Sequence, residues 1–136
     1  MFLPAKVPTV SVNNPLLQPY DLPPFSAIRA EHVQPAIEQI LADNRAAIAD
    51  ILKTQATQPT WAGLVLAMDE LNDRLGAAWS PVSHLNAVCN SAELREAYEA
   101  CLPALSAYST EMGQNRELFQ AFDALAKSPE AAGFDV

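Results

Sequence analysis

The sequence predicts an all-α fold, an antiparallel array of four to five helices, two of them kinked at proline, behind an irregular Pro-rich N-terminal arm. Three observations carry that prediction. From Glu31 onward apolar residues recur every three to four positions, the period of a helix with one buried face. No stretch alternates apolar and polar with the period of two that a half-buried strand requires. Six of the eleven prolines fall within the first 24 residues, at Pro4, Pro8, Pro15, Pro19, Pro23 and Pro24. Each fixes its own φ and pushes the preceding residue toward extended conformations.

The arm therefore spans residues 1–24, with its first dozen residues expected to be disordered. The helical domain spans 25–127. The first helix runs from about Glu31 to Lys53 on the stripe Val33, Ile37, Ile40, Leu41, Ile48, Ile51 and Leu52. Pro35 fits only near its first turn, where the missing N–H has no intrahelical partner to lose. The polar run "TQATQP" ends it. Thr60 is a suitable N-cap for the second helix, which carries Trp61, Leu64, Val65, Met68, Leu71, Leu75 and Trp79. Its stripe continues past Pro81 through Val82, Leu85 and Val88, so the spacing predicts one helix kinked near Ser80 or two in near-continuation. Ser91 caps the third helix, with Glu93 in its first turn, where a negative charge suits the dipole. Its stripe is Leu94, Tyr98, Cys101, Leu102, Leu105, Tyr108 and Met112, with Pro103 a second predicted kink and Gly113 a predicted C-terminal glycine. Asn115 caps a short fourth helix holding Leu118, Phe119, Phe122 and Leu125. Residues 128–136 read as a linker toward a missing remainder, because Phe134 and Val136 follow the last helix with nothing after them to cover them.

Length and composition bound the function. A chain of 136 residues, half of them hydrophobic, is one domain with a core of its own. Its formal charge is −8, and Lys53, Arg74, Arg95 and Arg116 stand singly. With no basic stripe to neutralise phosphates, nucleic acid is not an expected partner, and an acidic surface disfavours anionic membranes. The N-terminus has no apolar run of signal-peptide length, and no run approaches the ~18 residues of a membrane span. Cys89 and Cys101 make neither a disulfide framework nor a zinc knuckle; both are expected to be reduced core thiols. The expected compartment is the cytoplasm.

The stretch "SPVSHLNAVCNSAELREAY" concentrates His, Cys, Asn and Ser and is the natural place to look for chemistry. His84 and Cys89 are five positions apart, which sets them about 140° apart around a regular helix, so they do not form a nucleophile–base pair unless the helix breaks between them. The other histidine, His32, belongs to a different helix, and the sequence contains no H-E-x-x-H string to bring two imidazoles onto one face. Asp69, Glu70 and Asp73 form an acidic patch without the ligand number of a calcium loop and read as a solvated face. Trp61, Trp79, Tyr98 and Tyr108 sit at helical spacing and read as core rather than as a peptide groove. No residue is assigned a catalytic, cofactor-binding or metal-binding role.

The strings "NPLL", "LPPFSAIRAEHVQPAIE", "TW", "SPVSHLNAVCNSAELREAYEACLPALSAYST" and "LFQAF", in that order from about Asn14 to Lys127, resemble the N-terminal region of the thimet oligopeptidase family of zinc metallopeptidases. The resemblance implies an almost wholly helical protein several times longer than this chain, cleaving short peptides in a deep channel. It also implies Zn2+ as cofactor of the full-length protein, held by an H-E-x-x-H pair and a downstream Glu beyond the matched region. On that reading the chain is a structural fragment, inactive alone, whose partner is the missing C-terminal catalytic part. The N-terminal helices would help to wall the channel. A stand-alone helical module that binds a partner helix or peptide is the alternative, and an independent enzyme using His84 or Cys89 is a third reading.

Overall fold

The computed structural model describes residues 14–55, 58–89 and 91–129. Among them are four α-helices and no strand, as the apolar periodicity predicts. Helix α1 spans Ala30–Gln55, α2 Ala67–Cys89, α3 Ala92–Gln114 and α4 Arg116–Ala126. A π-helical segment, Trp61–Leu66, leads directly into α2. The first dozen residues and the tail from 130 onward lie outside the described residues.

Helix α1 is the centre of the array and packs against α2, α3 and α4. Val33, Ala36, Ile37, Ile40, Leu41, Asn44 and Ile48 form its buried stripe. Cross-helix contacts give the directions. Asp43 meets Arg74 while Asn44 meets Leu71, so α1 and α2 run antiparallel. Asn44 meets Tyr108 and Arg45 meets Glu111, so α1 and α3 run parallel. The sequence of short connections thus gives an up-down-up order.

Capping explains where the helices begin. Thr60, Ser91 and Asn115 each accept a backbone N–H three residues on, from Gly63, Leu94 and Leu118, at 2.9–3.0 Å. The start of α1 uses a different device. His32, in its first turn, reaches back so that Nδ1 accepts the Arg29 N–H at 2.9 Å, the role a Glu plays in a capping box.

The Pro-rich arm is packed from Asn14 onward. Two 3₁₀ turns, Pro15–Leu17 and Phe25–Ala27, carry it across α1 and α2. Asn14 is fully buried; its Oδ1 accepts the Leu16 N–H at 3.0 Å and its Nδ2 donates to the His32 carbonyl at 2.8 Å. Leu16 joins the core.

Helix α2 runs without interruption through Pro81, and α3 through Pro103. Of the two arrangements open at Pro81, the single helix is the one adopted. A proline leaves the carbonyl four residues back without its intrahelical donor. At Pro81 that carbonyl belongs to Ala77, and the Tyr20 hydroxyl donates to it at 2.6 Å. The arm therefore supplies the hydrogen bond that the proline removes.

One local expectation is corrected. Gly113 does not terminate α3 in the left-handed conformation; it lies within the helix, no positive φ is found there, and a Cβ would meet nothing within 4 Å. The terminating residue is Asn115, with φ −74° and ψ 101°, which caps both ends of the junction. Its N–H donates to the Met112 carbonyl while its side chain caps α4. One polar residue does both tasks because the chain turns sharply without needing φ > 0.

Candidate functional site

The stretch around His84 is the last two turns of α2. Because the helix is continuous from Ala67 to Cys89, the ~140° separation of His84 and Cys89 stands. Both side chains are exposed. The His84 ring lies against Phe25 of the arm, with centroids 5.3 Å apart and planes at 48°. Cys89 borders a shallow, solvent-open groove with Phe25, Ile28, Leu85 and Leu94. It is not a core thiol: it is exposed at the last residue of α2. Cys101 on α3 is buried, and burial pushes its thiol up to about 11, with the Glu38 carboxylate adding to the shift. Neither thiol is bridged.

His32 and His84 sit on α1 and α2, and the Nδ1 of His32 is committed to the Arg29 backbone. Among the described residues no three His, Cys, Asp or Glu side chains come together as a metal site would need. The described residues do not fit the zinc that the resemblance implies for the full-length protein. Asp69, Glu70 and Asp73 are exposed along α2.

The four aromatic residues separate. Tyr108 is buried between α1 and α3, and Trp79 stacks on Tyr98 at 4.8 Å and 15°, both half-buried between α2 and α3. Trp61 departs from the core expectation and is 42% exposed, because the π-helical turn rotates it off the α2 stripe. Phe119 is likewise outside the core at 71% exposure, while its neighbours Leu118, Ala121 and Leu125 form the buried face of α4.

The most developed polar cluster lies on the α1–α3 seam and was not visible in the sequence. Asn44 is fully buried; its Nδ2 donates to the Tyr108 hydroxyl at 3.2 Å and approaches the Leu71 carbonyl at 3.5 Å, while its Oδ1 has no partner among the described residues. Beside it the Arg45 guanidinium stands 5.7 Å from the centre of the Tyr108 ring and forms a two-pronged ion pair with Glu111. Arg45 holds the Glu111 carboxyl below its usual range, and Glu111 in turn raises Arg45. The same pair flanks an open groove of about 590 Å³ floored by Ile48, Leu52 and Met112. Mixed charges at the rim and a cross-helix pairing make this a packing seam. No signal short of the three-dimensional pairing identifies Asn44 on an otherwise apolar stripe.

The described residues form a helical array whose buried amides, Asn14 and Asn44, tie the arm to α1 and α1 to α3. Comparison with known proteins gives its family. The family model of the neurolysin/thimet oligopeptidase N-terminal domain matches residues 37–135. The chain is 51% identical over 129 residues to oligopeptidase A of Haemophilus influenzae, covering 93% of this chain and 18% of that protein. It is 50% identical over 111 residues to oligopeptidase A of Salmonella typhimurium and of Escherichia coli, covering 82% of this chain and 16% of each. The chain belongs to the thimet oligopeptidase family and corresponds to the N-terminal region of oligopeptidase A. It spans less than a fifth of the length of these relatives.

Proposed function

We propose that this chain is the N-terminal structural domain of an oligopeptidase, inactive by itself, and that its peptide-hydrolysing activity belongs to a longer protein that includes the family's zinc-binding part. The observation that carries this reading is the pairing of a family match to the N-terminal domain with coverage of under a fifth of the relatives' length. The relatives' names make short peptides the substrate class of the whole protein. Zinc in that protein would supply a Lewis acid and an activated water; this chain's contribution is scaffolding. In the longer protein the α2 segment around Pro81 would form part of the channel wall. The cytoplasm is the proposed compartment, in keeping with an acidic chain in which no described helix is long and apolar enough to cross a membrane.

The test is hydrolysis of a quenched fluorescent peptide of about ten residues by the purified chain, with and without added zinc. The expected result is no turnover above buffer in either case. Saturable turnover that is abolished by His84→Ala or Cys89→Ala would replace this reading with that of an independent enzyme.

A further inference from the structure

Helix α4 is apolar over a wide arc and only part of that arc is covered. Leu118, Ala121 and Leu125 are buried against the rest of the domain. Phe119 and Phe122, three residues apart and therefore on one side of the helix, remain 71% and 37% exposed. Leu22, Phe25, Val88 and Leu102 are also exposed but stand apart on other elements, where scattered apolar residues are ordinary. Trp61 and Leu66 are exposed on the π-helical segment, which packs against α4, so the two phenylalanines belong to the more apolar side of the domain.

We infer that the Phe119–Phe122 face of α4 is the docking surface for the remainder of the oligopeptidase polypeptide. This rests on the domain reading above. Three arguments select that occupant over a second copy of the chain. The two side chains expose together about one phenylalanine's worth of surface, roughly 200 Å². A stable dimer of separate chains buries about 800 Å² on each partner. A contact within one polypeptide needs far less, because linkage holds the surfaces at an effective concentration of about millimolar. A net charge of −8 also sets two copies of the chain against each other. Finally, α4 lies inside the region matched by the family model, and the relatives are more than five times the length of the matched segment, so a large partner surface belongs to the same polypeptide.

The experiment uses a chimera in which this chain replaces the corresponding N-terminal region of Haemophilus influenzae oligopeptidase A, compared with the 136-residue chain itself. Phe119→Asp and Phe122→Asp are introduced together into both. In the isolated chain the pair should lower the thermal midpoint by less than it does in the chimera, because Phe119 already faces water and Phe122 is only partly packed within the domain. In the chimera the same pair should lower the midpoint by at least about 5 °C and kcat/KM by at least about tenfold. An active chimera that tolerates both substitutions overturns this inference and leaves the domain reading in place. An unmodified chimera without activity overturns the domain reading and the inference with it. Unfolding of the isolated double variant would place the two rings in the domain's own core, and a wild-type dimer dissociated by the substitutions would assign the face to a second copy. Either result overturns the proposal.

Discussion

Asn44 is the residue on which most turns, because it brings an amide into a stripe that is otherwise hydrocarbon. Its Nδ2 is paired with the Tyr108 hydroxyl and its Oδ1 is not paired among the described residues. Leaving a buried polar group unmatched costs about 1–3 kcal/mol, whereas removing both partners of a buried pair is far less costly. Tyr108→Phe should therefore destabilise the domain by ~1–2 kcal/mol in a urea titration. The double variant Asn44→Leu, Tyr108→Phe should be more stable than the two single losses added together. Strict additivity would mean that the pair is not coupled. Cys101 supplies a second residue-level test. Its folded pKa, about 11, lies above the 9.0 of a free thiol, so its contribution is fully present below pH 9. The unfolded chain ionises first, and stability should fall as the pH rises from 9 toward 11, by roughly 1–3 kcal/mol for a shift of this size. Cys101→Ala should flatten that alkaline limb in denaturation curves taken from pH 8 to 11.

At the scale of elements, local rules placed most of what they could reach. The caps Thr60, Ser91 and Asn115 were legible because each is a short polar side chain just before an apolar-periodic run, and N-capping is decided within three residues. The stripe of α1 was legible from its period alone, whereas Trp61 and Val88 of the predicted second stripe are exposed. What sequence periodicity missed depended on partners distant in the chain. Asn14 and Asn44 look like surface residues until a carbonyl 18 residues away, or a hydroxyl 64 residues away, is brought to them. Phe119 looks like core because the stripe of α4 does not show which part of its apolar arc is covered. Gly113 looked like a helix terminator, but Asn115 does that work. In its place within a helix and with open space around its Cα, Gly113→Ala should raise stability by ~0.5–1 kcal/mol, where a left-handed glycine would have lost stability. Gly63 is the opposite case. A Cβ there would run into the amide end of the Gln55 side chain, whose Oε1 accepts the Thr60 N–H at 2.7 Å. That side chain can swing aside, so a larger residue at position 63 would give up the Gln55–Thr60 hydrogen bond. Tyr20→Phe tests the tie between arm and helix. It leaves the Ala77 carbonyl, already deprived of a donor by Pro81, without its hydroxyl, and should cost about 1–2 kcal/mol by thermal denaturation. An unchanged midpoint would mean that water replaces the hydroxyl without loss.

For the whole molecule, the described polar residues go into helix pairing and caps, which is the work that the proposed scaffolding role asks of them. His32 caps a helix, His84 rests on an arm residue, and Arg45 and Glu111 hold α1 to α3. The family was legible from ordered strings running from "NPLL" to "LFQAF", because 50% identity preserves such strings across much of a chain. The docking face was not, since exposure is a property of the folded domain. The most direct measurement is kcat/KM for a short peptide, taken side by side on this chain and on the chimera that joins it to the remainder of Haemophilus influenzae oligopeptidase A. The account predicts no measurable turnover by the chain and, for the chimera, a value within about tenfold of the parent enzyme. An active chain, or a folded chimera without activity, would contradict it.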